Sequence, residues 1–292
     1  MENNRVSVKM ILDGFSQKLA ENYRQEEIMQ LAYVLFEEWM GWTKADIHIE
    51  RQKFLKGEEV VRFRKALEEL QKNKPIQYIT GVSHFLDTKI KVTEGVLIPR
   101  PETEELVSLI INDYQHRQYE SLSLMDIGTG SGCIPVAIKK QMPCFDITAI
   151  DISTVALDVA RENSLLNQCN IQFILADILD RQEWKNFPVF SVIVSNPPYV
   201  TESERILMHP NVVDYEPGEA LFVTDNDPLK FYKAIAEFAF LHLSRPGSLY
   251  FEINERFGNP IKELLLSTGF DKADVLKDIH DKDRFIRAKP HP

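Results

Sequence analysis

The stretch Asn196-Pro197-Pro198-Tyr199 combines residue types that could aim a planar NH₂ group. Such a group has two hydrogens to donate, and Asn196 Oδ1 together with the Pro197 carbonyl could accept both. Consecutive prolines fix their own φ angles and restrict the residues before them, so the carbonyl after Asn196 is held in one direction. An amide nitrogen is a poor nucleophile because its lone pair is delocalised into the carbonyl. Two fixed acceptors can help turn that lone pair towards an electrophilic carbon as the transition state forms. Tyr199 could cover one face of the target group. The plain alternative is a rigid strand-ending turn, since Asn and Pro are both common turn formers.

A second stretch, Asp126-Ile127-Gly128-Thr129-Gly130-Ser131-Gly132, falls between an expected strand and an expected helix, where missing side chains let backbone amides approach a ligand closely. Asp151 lies 19 residues after Gly132 and closes the next strand, where a carboxylate can accept from both ribose hydroxyls of a nucleoside. The pair implies an adenosine-containing cofactor. NAD sites favour G-x-G-x-x-G, with the pyrophosphate on the helix amino terminus. The tighter G-x-G-x-G here suits S-adenosylmethionine, whose methionine moiety has no phosphate to hold. The expected cofactor contacts are Gly128, Thr129, Gly130, Ser131, Gly132, Asp151 and Asn196. Asp177 either reaches the adenine amino group or is a solvated turn carboxylate. The methyl carbon of a sulfonium already carries its leaving group, so the reaction needs neither a metal nor a covalent enzyme intermediate and leaves S-adenosylhomocysteine. Asn196, Pro197 and Tyr199 are then the catalytic candidates, and Asn196, Pro197, Pro198 and Tyr199 the substrate-binding ones.

These groups must be carried by elements that end at one edge. Expected strands at 122–127, 146–150, 171–175, 190–194 and 248–253 alternate with helices through 140, over 153–167 and over 229–243. That alternation predicts an α/β fold, Rossmann-like, with a mostly parallel sheet covered by helices on both faces over residues 102–292. A helix over 102–115 opens beside Pro101 with acidic residues in its first turn. Residues 1–74 form a small helical domain, with Ile11, Phe15, Leu19 and Leu31, Val34, Leu35 at spacings of three and four. Residues 75–101 read as a β-hairpin linker, with Ile76-Gln77-Tyr78-Ile79 and Lys89-Ile90-Lys91-Val92 extended and Gly81 and Gly95 as punctuation.

The net charge of −10, from 44 acidic against 34 basic side chains, argues against a protein that holds nucleic acid mainly through phosphates. Residues 1–19 mix charges of both signs and lack the apolar run of a signal peptide. No stretch approaches the roughly 20 apolar residues of a membrane span. Cys133, Cys144 and Cys169 form no CxxC pair and are odd in number, which points to a reducing cytoplasm and to small buried side chains.

Together these residues resemble the HemK-type family of protein-(glutamine-N5) methyltransferases, over nearly the whole chain. Beyond the two stretches above, the likeness rests on Pro75-Ile76-Gln77-Tyr78-Ile79-Thr80-Gly81, Leu97-Ile98-Pro99-Arg100-Pro101-Glu102-Thr103-Glu104, Tyr215-Glu216-Pro217 and Ala220-Leu221. The resemblance implies a class I methyltransferase domain acting on the Gly-Gly-Gln tip of class I peptide chain release factors, with the helical domain helping to grip that partner. A monomer without direct nucleic-acid or membrane contact is expected. Arg100 and Glu102 match a motif beside the site. The chain departs from the family pattern at Asn226 and Asp281, where glycine often stands, and at Ile178, where some relatives place an aromatic residue. Two rivals remain open. An adenine-N6 DNA methyltransferase would present the same NH₂ to Asn196 but must flip a base and hold DNA. A non-enzymatic nucleotide-binding module leaves the Asn-Pro-Pro-Tyr chemistry idle.

Overall fold

The computed structural model describes residues 5–291; the first four residues of the expected helical domain and the last of the α/β domain lie outside that range. The chain divides into two compact units. One runs to Gly81 and also takes in His209–Tyr215; the other comprises Val82–Met208 and the chain from Glu216 onward. Among the described residues, no helix is long and apolar enough to cross a membrane.

The first unit contains helices α1 (Val8–Lys18), α2 (Gln25–Met40), α3 (Lys44–Ile49), α4 (Gly57–Gln71) and α5 (Ile76–Thr80). Ser7 caps α1 by accepting from Met10 N, and a Thr43–Asp46 capping box opens α3. Phe15, Leu19, Ile28, Phe36, Phe63 and Leu70 are buried in its core, with the Phe36 and Phe63 rings 4.4 Å apart. The expected extended segment at Ile76 to Ile79 is instead the helix α5. Pro75 sits at its N-cap, Thr80 Oγ1 donates back to Ile76 O, and Gly81 at φ 78° ends it. Local capping overrides the β-branched composition that suggested a strand. The inserted segment brings a one-turn helix, Pro210–Val213, and Tyr215, whose hydroxyl donates to Lys72 O at 2.8 Å.

The second unit starts with the hairpin β1 (Val82–Phe85) and β2 (Thr88–Lys91), then α6 (Pro101–Tyr114) with proline in its first turn. There follow β3 (Leu122–Ile127), α7 (Cys133–Gln141), β4 (Phe145–Asp151), α8 (Thr154–Leu166), β5 (Gln172–Leu175) and β6 (Phe190–Ser195). A two-stranded parallel pair, β7 (Val200–Thr201) and β8 (Phe222–Val223), is set apart from the main sheet. With Pro210–Val213 as α9 and Gly218–Leu221 as α10, the chain ends in α11 (Lys230–His242), β9 (Leu243–Glu252), α12 (Gly258–Thr268), β10 (Phe270–Lys277) and β11 (Asp283–Pro290).

The seven-stranded order is β10-β11-β9-β6-β3-β4-β5, with β9, β6, β3, β4 and β5 parallel and β11 running against both its neighbours. Central strands are apolar on both faces, as in Val192, Ile193 and Val194, because helices cover each side. The chain builds outward from β3 through β4 to β5, then returns to lay β6 and β9 on the other flank. That reversal opens a crevice at the carboxyl ends of β3 and β6, the place where open α/β sheets bind ligands. Ile127 pairs with Ser195, and Ser195 with Phe251, so β3, β6 and β9 end side by side.

Candidate active site

A cavity of about 500 Å³ lies at this edge, entirely within the second unit. From the expected site residues it collects Gly128, Thr129, Gly130, Ser131, Asp151, Asp177, Asn196, Pro197 and Pro198. Gly132 and Tyr199 do not line it. Gly132 is the left-handed residue that opens α7, and a β-carbon there would meet Ala160 Cβ at 3.0 Å; its glycine serves the packing of α7 on α8.

The glycine turn is held from below. Asp151 Oδ2 accepts from Gly130 N at 2.8 Å and its Oδ1 from Ser153 N at 2.9 Å; burial raises its carboxyl while these amides pull it back. Asn163 on α8 accepts from Lys91 N and donates to Lys91 O and Ser131 O, tying the hairpin and the turn to one helix. Gly128 and Gly130 have φ of 75° and 54°, and a β-carbon on either would find nothing within 4 Å. Thr129 Oγ1 is buried with no partner among the described residues, as are both oxygens of Asp126. Burial pushes the Asp126 carboxyl up to about 7; the Thr129 hydroxyl eases this without closing a hydrogen bond, and the Asp151 charge adds to it. Asp177 lines the cavity beside Ile178, its Oδ1 accepting from Leu179 N.

At the other end of the cavity, Asn196 Nδ2 donates to Thr103 Oγ1 at 3.1 Å. Thr103 donates in turn to Glu252 Oε2 at 2.7 Å, and Tyr199 OH donates to Glu252 Oε1 at 3.0 Å. Tyr199 is therefore drawn towards the end of β9 and packs on the core rather than covering the cavity. Glu252 is wholly buried. Burial raises its carboxyl, the hydrogen bonds from Thr103 and Tyr199 and the Arg284 charge lower it, and Glu102 raises it. Arg100 lines the cavity and pairs with buried Glu216 at 2.6 Å, while Glu216 Oε2 accepts from Ile98 N. Glu102 does not line the cavity. Cys133 does, but its thiol is pushed up to about 12 by burial and stays protonated near neutrality.

Sequence reasoning missed Thr103, Asn163 and Glu252. One signal was available for the last: Glu252 closes the apolar run Leu249-Tyr250-Phe251, and a carboxylate inside such a strand needs a partner.

Residues 105–214 match the family described as Methyltransferase small domain, and residues 11–81 match the PrmC N-terminal domain. A release factor glutamine methyltransferase of Flavobacterium psychrophilum is 40% identical over 282 residues, covering 96% of this chain and 98% of its own. Its counterpart in Bacteroides thetaiotaomicron is 39% identical over 272 residues, covering 93% of this chain and 96% of its own. Among solved structures, a methyltransferase from Pyrococcus furiosus aligns with a TM-score of 0.51 at 18% identity, over 77% of this chain and 97% of that one, which is a likeness of fold.

Proposed function

The chain belongs to the release factor glutamine methyltransferases, and from that premise we propose that it transfers a methyl group from S-adenosylmethionine to N5 of the glutamine in the Gly-Gly-Gln motif of class I peptide chain release factors. The observation that carries this reading is the shared cavity: the turn Gly128 to Ser131 with Asp151 lines one part, and Asn196, Pro197 and Pro198 line another.

The residues present fit the cofactor. Open space beside Gly128 and Gly130 leaves room for a ligand against the backbone, and the orphaned Thr129 hydroxyl is a polar atom in want of a partner. Asp151 is oriented by two amides and keeps further lone pairs for ribose hydroxyls. When bound, S-adenosylmethionine supplies a methyl carbon on a sulfonium, an electrophile with its leaving group built in. The chain's own residues do the aiming. Asn196 Oδ1 and the Pro197 carbonyl accept the two amide hydrogens of the glutamine, which fixes the plane of its nitrogen and directs the lone pair at the methyl carbon. As the nitrogen–methyl bond forms, the sulfur–methyl bond would break to leave S-adenosylhomocysteine, and the nitrogen would give up one of its two hydrogens as a proton to solvent, a loss made easy by the positive charge the nitrogen gains on methylation.

The helical unit serves the grip on the release factor, and the partner is a protein rather than nucleic acid, in keeping with the net charge of −10. We place the reaction in the cytoplasm and assign it to a monomer.

The test is transfer of labelled methyl from S-adenosylmethionine to a purified class I release factor whose Gly-Gly-Gln glutamine is intact or changed to alanine. Label appearing only with glutamine present is the expected result. No transfer to either protein, under conditions where cofactor binds, overturns the reading.

A further inference from the structure

An asparagine side chain is nearly the same shape either way round, yet its two ends are opposite in hydrogen-bonding character. For Asn196 the difference is decisive. With Oδ1 towards the substrate it accepts a hydrogen from an NH₂; with Nδ2 there it opposes donor to donor and would favour a carboxylate instead. The two prolines that follow offer no backbone N–H that could choose between the two.

The choice is made one layer deeper. Glu252 ends β9 with no exposure, and a hydroxyl stands at each of its two oxygens, an arrangement that suits a carboxylate accepting on both. It receives Tyr199 OH on Oε1 and Thr103 OH on Oε2. Thr103 has a single hydroxyl hydrogen. Because that hydrogen is committed to Glu252, the Thr103 oxygen can serve Asn196 only as an acceptor, and only Nδ2 can supply the hydrogen across the 3.1 Å between them. Burial raises the Glu252 carboxyl; against it act the hydrogen bonds from Thr103 and Tyr199 and the charge of Arg284, which immediately precedes Phe285, the β11 residue that pairs with Glu252.

We propose that Thr103 and Glu252 are positioning residues that set the hydrogen-bond polarity of Asn196, so that the site presents Oδ1 and selects an amide NH₂ over a carboxylate; this rests on the reading of Asn196 as an acceptor for the glutamine amide. The relay runs in one direction, from Asn196 Nδ2 through the Thr103 hydroxyl to Glu252. Breaking it at Thr103 leaves the Asn196 side chain in place but free to turn. Reversing it requires a donor at position 252 and an acceptor at position 196.

Two sets of variants test this, with cofactor binding by calorimetry as the control for folding. Thr103→Val keeps the shape of the side chain, and kcat on release factor is expected to fall about tenfold or more, the scale of one buried hydrogen bond lost, while cofactor affinity stays unchanged. Thr103→Ser restores the hydroxyl and should recover most of kcat. Asn196→Asp leaves two carboxylates competing for one hydroxyl hydrogen and should lose most activity. When Asn196→Asp is combined with Glu252→Gln, the amide introduced at position 252 donates to Thr103, and Thr103 donates to the carboxylate introduced at position 196. The second oxygen of that carboxylate then faces the substrate. The double variant should exceed Asn196→Asp alone by about tenfold. Losses that simply add, or a Thr103→Val enzyme with unchanged kcat, overturn the proposal. If the unmodified protein itself transfers no methyl to release factor, it is the functional reading that has failed, and the two failures are told apart by that control.

Discussion

Asn163 Nδ2 donates to Ser131 O at 2.9 Å, so a buried amide on α8 holds the glycine turn that follows β3. The same side chain accepts from Lys91 N at 2.6 Å and donates to Lys91 O at 2.9 Å, which satisfies the end of the β1–β2 hairpin. One residue thus joins the hairpin to the cofactor turn. Asn163→Leu removes three hydrogen bonds and leaves two carbonyls and one amide without partners. It is expected to weaken S-adenosylmethionine binding about tenfold or more and to lower the melting temperature. Calorimetric titration and thermal melts check both; unchanged cofactor affinity would mean that the turn keeps its shape unaided.

Asp126 makes stability depend on pH in an unusual sense for a carboxylate. Its folded pKa is about 7 against an ordinary value of 3.8, so between these limits the folded chain holds a proton that the unfolded chain has released. Stability from this group is fully present below the ordinary value and is lost as pH rises through the folded one. Asp126→Asn removes the titration. The variant should therefore gain on the unmodified protein as pH is raised from about 4.5 to about 8, by an amount on the order of a few kcal/mol, and level off above that. Urea unfolding at several pH values measures it. A constant difference would mean that Asp126 is ionised throughout.

Arg100 and Glu216 pair at 2.6 Å, and Glu216 is 1% exposed at its side chain. Removing one partner of such a pair leaves a buried charge, at a cost of about 3 kcal/mol. Arg100→Met is expected to destabilise the protein by that amount, and addition of Glu216→Gln, which can still accept from Ile98 N, should recover most of it. Denaturant melts of the two variants decide the matter; if the second change brings no recovery, the loss at Arg100 has another cause.

The α/β alternation was legible because strands buried on both faces read as short apolar runs and the intervening helices as longer periodic ones. Asn196-Pro197-Pro198 and Asp151 could be found for a different reason: each closes a strand, and strand ends in a parallel sheet converge on one edge. Residues acting across the fold were not legible. Thr103 stands in the first turn of α6 and Glu252 at the end of β9, and only the sheet order brings them to Asn196. The partner of Tyr199 was hidden for the same reason, since its short distance in sequence from Asn196 says nothing about the carboxylate that its hydroxyl meets. The helix α5 was hidden because its capping residues, Pro75 and Gly81, suit a turn beside a strand equally well.

Gly130 and Gly132 have the same sequence character but different surroundings, and substitution should separate them. Both have positive φ, 54° and 77°, so alanine strains each backbone by about 1 kcal/mol. At Gly130 a β-carbon enters the open space of the cavity; at Gly132 it meets Ala160 Cβ at 3.0 Å and Ala160 Cα at 3.2 Å. Gly130→Ala is therefore expected to fold with a modest drop in melting temperature and to lose cofactor affinity by about tenfold or more, the methyl group occupying ligand space. Gly132→Ala should show the reverse emphasis, losing about 2 kcal/mol or more of stability through forced separation of α7 and α8. Thermal melts and calorimetric titration on the two variants give both quantities. If Gly132→Ala were as stable as Gly130→Ala but equally poor at binding, Gly132 would belong with the cofactor contacts after all, and α7 would have room to move away from α8.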